Sequence, residues 1–183
     1  MRRLVLVAVL LLAACSGSGR TDQPASGPLN DADVAFVQRL LAQDHQATEV
    51  VELIESHTAR PELRKLAEDV TVSRGDEIVK LEQWLQRWGK PIQPEGVDAE
   101  TLPPGLLTDQ QLNQLDALTG TKFDTAFADA FATLHQEAVK LAETELADGS
   151  LGEVRQLAEQ VRAGRQAEIG QLARWKQAWS QGS

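Results

Sequence analysis

Tyrosine is absent from this 183-residue chain, methionine occurs only as Met1, and cysteine only as Cys15. A lone cysteine cannot build a disulfide framework. Soft metals such as Cu(I) prefer thioether or thiolate ligands, and beyond Met1 and Cys15 the chain has none to offer. Aromatic side chains make up 4% of the residues, so Leu, Ala and Val must supply most of a core. No segment carries a strand signal. There is no Gly-rich phosphate loop, no Gly-x-Ser-x-Gly elbow and no visible nucleophile–base arrangement. The Glu-x-x-His motif of a ferritin-type oxidase centre is missing as well. These absences predict a protein that is not an enzyme.

What is present begins with a leader. Arg2 and Arg3 precede an apolar run from Leu4 to Leu12, which is too short to count as a spanning helix and reads as a secretory signal. Its end, Leu12-Ala13-Ala14-Cys15, is similar to the lipobox of bacterial lipoproteins. That resemblance implies cleavage before Cys15 and lipid on its thiol; the alternative is an ordinary cleaved signal. More than one lipid chain makes such an anchor stable. Residues 1–14 are thus read as a lipoprotein signal peptide. Residues 15–29, rich in Ser, Gly, Pro and Thr, are read as a flexible tether. The expected location is extracytoplasmic, on a membrane of the bacterial cell envelope, with the lipid on Cys15 making the membrane contact. The whole chain has 18 basic and 27 acidic side chains. Losing Arg2 and Arg3 makes the balance more acidic still, which argues against nucleic acid as a partner. No protein partner can be named.

Residues 33–88 and 124–179 repeat each other without a gap, sharing 18 identities in 56 positions. Among them are Asp33/Asp124, Phe36/Phe127, Ala47/Ala138, Arg74/Arg165, Glu77/Glu168, Trp84/Trp175 and Trp88/Trp179. A fixed-offset repeat means two equivalent units that bury their apolar faces together. Within the first copy, Phe36, Leu40, Asp44, Ala47, Val51 and Ile54 form one helical stripe. Asn30 or Asp31 can cap that helix, which should end near His57–Arg60. Pro61 opens a second helix, and Gly89 followed by Pro91 ends it. Gly89 to Pro104 reads as a crossing loop. A short helix follows, with capping-box spacing in Thr108 and Gln111, staple spacing in Leu107 and Leu112, and Gly120 closing it. The last two helices are expected over 122–147 and 152–180. The four Trp fall at the two matching helix ends and are expected to plug one end of the bundle. Two hairpins with one long connection make an all-α four-helix bundle over residues 30–180.

In this order, the pieces resemble a bacterial family, domain of unknown function 305, whose members adopt a ferritin-like four-helix bundle. The resemblance rests on Asn30 to Val37, on Ala47 and Ala138, and on Glu77-Ile78 and Glu168-Ile169 followed by Trp84 and Trp175. Residues Gly105 to Thr108 and Phe123-Asp124 also fit. It implies a secreted or envelope-anchored protein. It also implies a His-His pair just before each of those alanines, and several methionines, associated with metal and often with copper. Here the pair's places hold Gln43 and Asp44 in one copy, and Leu134 and His135 in the other. The family's usual methionine is Leu81 and Leu172, and its usual glutamine is Arg74 and Arg165.

Two readings of the remaining polar groups follow. In one, Asp44 and His135, being repeat-equivalent, form a buried hydrogen-bonded pair in which the carboxylate favours a charged imidazole. In the other, Asp44, His135, Glu77 and Glu168 are the remnant of a site for zinc, iron or manganese. Arg74/Glu77 and Arg165/Glu168, each at i, i+3, argue for structural ion pairs, because a guanidinium holds a buried carboxylate without any metal ion. His45, Glu49 and Glu52 read as a solvated face, and His57 as a helix-end residue. The expected function is therefore a non-enzymatic envelope lipoprotein acting as an interaction or scaffold module, with a degenerate metal region and no cofactor. The alternative is extracytoplasmic binding of a divalent transition metal, or of copper.

Overall fold

The computed structural model describes residues 27–93 and 105–181. The expected signal peptide, Cys15 and most of the expected tether lie outside them. Among the described residues six helical segments follow in order: α1 (Asp31–Glu52), α2 (Ile54–His57), α3 (Pro61–Trp88), α4 (Asp109–Asp116), α5 (Gly120–Asp148) and α6 (Gly152–Gln181). No described helix is long and apolar enough to cross a membrane.

Helix boundaries follow local chemistry. Asn30 caps α1 through a reciprocal box. Its side chain accepts the Asp33 N–H at 2.9 Å, and the Asp33 carboxylate accepts the Asn30 N–H at 2.8 Å. Thr108 and Gln111 make the same exchange at α4. Pro61 starts α3, where its missing N–H is not needed. Gly89, at φ 64°, ends α3 with bonds from its own N–H to Gln86 and from Lys90 N–H to Leu85. Asp33 also reaches across the molecule. Its Oδ1 accepts the N–H groups of Ser150 and Leu151 at 3.0 and 2.9 Å, so α1 caps the entry to α6.

Two boundaries differ from the sequence expectation. The first helix is interrupted at Leu53, but that residue keeps helical angles (φ −62°, ψ −25°), so α1 and α2 form one nearly continuous rod. Gly120 does not close α4. It opens α5 at φ 58°, a left-handed angle that glycine adopts without a Cβ clash.

The hairpins are α1 with α3 and α5 with α6, and they meet along α1 and α5. The apolar core falls into two clusters. One contains Phe36, Val37, Leu40, Leu81, Trp84, Val154 and Leu157. The other contains Val50, Ile54, Leu63, Phe123, Phe127, Phe131, Leu172 and Trp179. All four phenylalanines are fully buried. Phe123, Phe127 and Phe131 stack along α5 with centroids 5.7 and 5.2 Å apart, so the few aromatics carry more of the core than their number suggests.

The Trp pairs also depart from expectation. Trp84 and Trp88 pack in the first cluster, Trp175 and Trp179 in the second, so each end of the bundle holds one pair. Matching ends of α3 and α6 lie at opposite ends because the two repeats are related across the bundle rather than along it. Trp179 is fixed there by an Nε1–H bond to Glu62 at 2.9 Å and by Arg60 lying 4.4 Å over its ring.

Candidate functional site

Between the two apolar clusters lies a belt of six polar side chains. They are three repeat-equivalent pairs: Asp44 on α1 with His135 on α5, Arg74 on α3 with Arg165 on α6, and Glu77 on α3 with Glu168 on α6. Asp44, Arg74, Arg165 and His135 are almost wholly buried. Each sits on the apolar stripe of its helix, so helical periodicity alone turns it inward.

The ion pairs are exchanged between repeats. Arg74 Nη2 donates to Glu168 Oε2 at 2.8 Å and Oε1 at 3.2 Å. Arg165 Nη2 donates to Glu77 Oε2 at 2.5 Å and to Asp44 Oδ1 at 3.0 Å. Within one helix, Arg74 stands 3.9 Å from Glu77. The i, i+3 pairing expected from the sequence is thus secondary to a cross-bundle pairing that ties α3 to α6. A long guanidinium projecting toward the pseudo-twofold axis reaches the carboxylate of the facing helix more squarely than its neighbour on the same helix.

Asp44 and His135 do not form the expected pair with each other. Asp44 faces the two arginines, with Arg74 Nε at 3.6 Å from Oδ1. His135 Nε2 instead lies 2.5 Å from Glu168 Oε2, close though poorly aligned, and its ring packs 4.3 Å from that of Phe131. Nor is a charged imidazole favoured. Burial pushes the His135 pKa down, the adjacent Glu168 opposes this only in part, and Arg165 and Arg74 add to the depression.

Protonation follows from the same geometry. Burial, then the charge of Glu77, raise Asp44 well above the usual carboxylate range despite both arginines. Its Oδ2 meets no N–H donor, and its carboxyl lies within hydrogen-bonding reach of Glu77. For Glu77, burial is outweighed by Arg165, the Asp44 hydrogen bond and Arg74, which leave it below its ordinary value. For Glu168, burial is likewise outweighed, here by His135 and Arg74, and its pKa falls to about 2. Within the belt the shifts thus favour neutral Asp44 and His135 beside charged Glu77 and Glu168.

This donor set does not fit a transition metal. Four potential ligands converge, but the guanidinium groups of Arg74 and Arg165 stand among them and occupy the carboxylate oxygens. Among the described residues, no group of three or more His, Cys, Asp or Glu is arranged to hold a metal ion. The set also lacks the sulfur that copper(I) favours. What the belt can do chemically is tie the four helices together through buried ion pairs.

The remaining candidates lie apart. His45, Glu49 and Glu52 are exposed on the outside of α1. His57 sits between the Leu53 carbonyl at 2.7 Å and the Asp116 carbonyl at 2.8 Å, joining α2 to the end of α4. An open groove of 580 Å³ between α1 and α3, lined by Val51, Ile54, Ala67 and Val72 among others, contains none of the belt residues. Sequence reasoning missed a second polar cluster, Asp33 with the buried Glu145. Comparing the copies would have exposed it, since Glu145 occupies the place of the core residue Ile54.

The sequence matches no curated protein. Among solved structures, a DUF305 protein of Streptomyces coelicolor, described as secreted, superposes with a TM-score of 0.72 at 22% identity, covering 79% of this chain and 89% of that one. A DUF305 fragment from Deinococcus radiodurans gives 0.72 at 23%, covering 83% and 99%. CopM in its Cu(II)-bound form gives 0.70 at 24%, covering 80% and 97%. These likenesses establish a shared fold. A sequence model of the family "Domain of unknown function (DUF305)" matches residues 33–176, spanning both repeats and the belt between them, and the chain belongs to that family.

Proposed function

We propose that this chain is a non-enzymatic, extracytoplasmic lipoprotein of the cell envelope whose helical bundle serves as an interaction or scaffold module. In this reading Cys15 carries the lipid, residues 15–29 act as tether, and the belt is structural. One observation carries it: Arg74 and Arg165 fill the space where Asp44, Glu77, His135 and Glu168 converge. A cation would have to displace two fixed cations from that space, at a large electrostatic cost in a buried setting. The leader ending at Cys15 and the likeness to a protein described as secreted support the location.

A second reading is favoured by the likeness to CopM, which has been seen in Cu(II)-, Cu(I)- and Ag-bound forms. In it, this chain would bind or sequester a transition metal (copper, zinc or iron) outside the cytoplasm through Asp44, His135, Glu77 and Glu168. Titration of the chain from Ser26 onward with Cu(II), Zn(II) and, under reducing conditions, Cu(I) separates the two. The first reading expects only weak, non-stoichiometric uptake by the acidic surface, unchanged in His135→Ala. Micromolar or tighter binding that is lost in His135→Ala would establish the second.

A further inference from the structure

At the end of the bundle where the N-terminal segment joins α1, two carboxyl groups face each other. Glu145, near the end of α5, is 1% exposed, and neither of its oxygens meets an N–H or O–H donor from an ordinary hydrogen-bonding partner. A Cβ built on Gly149 would fall 1.9 Å from Glu145 Oε1, so the carboxyl lies directly against that glycine. Its neighbours are Asp33 of α1, which is within hydrogen-bonding reach, Asp148 of α5, and Arg155 of α6. Arg155 spends an N–H on the Gly149 carbonyl at 3.0 Å. Both oxygens of Asp33 are already engaged by the N–H groups of Asn30, Ser150 and Leu151.

Two buried carboxyls in contact, with no cation inserted, need a proton between them. Three backbone N–H groups already donate to Asp33 and none donates to Glu145, so the proton is placed on Glu145. We propose that Glu145 is a proton-operated latch. In its neutral form it donates to Asp33 and holds the N-terminal segment against the α5–α6 turn, and loss of that proton releases them. The parts held are specific. Gly27 N–H bonds the Ser150 carbonyl at 2.9 Å, and the Asn30 amide bonds the Asp148 carbonyl at 2.8 Å and Ser150 Oγ at 2.9 Å. Burial and the adjacent Asp33 push Glu145 up to about 8 against the partial opposition of Arg155.

The repeat shows that the device belongs to one end. At the other, the equivalent of Asp33 is Asp124, which meets the Arg60 guanidinium at 2.5 Å, and the equivalent of Glu145 is Ile54. One end is closed by the Arg60–Asp124 ion pair. The other is closed by a proton, at the point where the chain leaves the bundle toward its N-terminus.

The test is NMR on the full chain labelled at the glutamate side-chain carboxyls, combined with amide exchange at Asn30, Ser150 and Leu151. The Glu145 carboxyl is expected to titrate near pH 8. Protection at the three amides, corrected for intrinsic exchange, should fall by up to about tenfold for each unit by which that midpoint exceeds the open-state value. In Glu145→Gln, which can donate but cannot ionise, protection should not change across the same range. A Glu145 midpoint in the ordinary carboxylate range overturns the proposal, as does the same pH-dependent loss of protection in Glu145→Gln. If the variant does not fold, the titration of the native chain decides alone.

Discussion

An arginine in each copy of the repeat holds a buried glutamate of the other copy. Arg165 holds Glu77 and Asp44 at once, so its removal strands two carboxyl groups in the core. Taking one partner from a buried pair costs about 3–5 kcal/mol, whereas replacing the whole set with apolar residues of similar volume is often neutral or stabilising. Arg165→Ala should therefore lower the unfolding free energy in urea by about that amount. Replacing Arg74, Arg165, Glu77 and Glu168 together by Met and Leu should cost much less than the sum of the single changes. Additive losses would contradict the pairing.

The titrating residues have opposite signs in stability. Glu168 has its pKa depressed from 4.5 to about 2 on folding, so its contribution is full above pH 4.5 and is lost as pH falls toward 2. Glu145 has its pKa raised from 4.5 to about 8, so its contribution is full below pH 4.5 and erodes as pH rises to 8. Unfolding free energy measured by denaturant titration from pH 2 to 9 should rise from the acid end and then decline toward pH 8. Glu145→Gln should make the decline shallower, leaving the part due to Asp44, whose pKa is also raised, and should leave the acid limb in place. At this scale the sequence was readable where a polar residue recurs in both copies. The cross-pairing was not readable, because i, i+3 spacing reports neighbours on one helix and says nothing of a facing helix. The positions of Asp44 and His135 near the axis could be expected, but not their different partners, since those depend on where two long guanidinium groups come to rest.

At the scale of elements, termini and turns follow rules that act over a few residues. The Asn30–Asp33 and Thr108–Gln111 boxes, Pro61 at the start of α3 and Gly89 at its end can all be seen in the sequence for that reason. The role of Gly120 was misread because a glycine between two helices can end one or begin the next; its φ of 58° at the first residue of α5 decides it. Gly149 has a different use. It leaves room for the Glu145 carboxyl, and any side chain there must displace a buried group. Gly149→Ala should therefore destabilise by about 1–3 kcal/mol through overpacking. The effect should be confined to the α5–α6 end: amides of Ser150 and Leu151 should lose protection while those of α3 keep it. A variant as stable as the native chain would mean that the Glu145 carboxyl moves aside freely.

At the scale of the molecule, the repeat builds two hairpins across a pseudo-twofold axis, and the axis runs through the charged belt. The core is divided there into two apolar clusters, each sealed at its outer end by a Trp pair. The all-α bundle and its two hairpins were legible because the 3.6-residue period and the 91-residue offset agree along nearly the whole folded part. The antiparallel placement of the Trp pairs was not, because a repeat does not state the symmetry operation that relates its copies. The DUF305 bundle is shared with proteins such as CopM, and at the axis of this chain arginine side chains stand between the candidate ligands.

The most direct test of that account is calorimetric titration of the chain from Ser26 onward with Cu(II) and Zn(II), run beside His135→Ala. The account predicts the same weak, non-saturating heats for both proteins. Stoichiometric binding at micromolar concentration or below in the native chain, lost in His135→Ala, would contradict it.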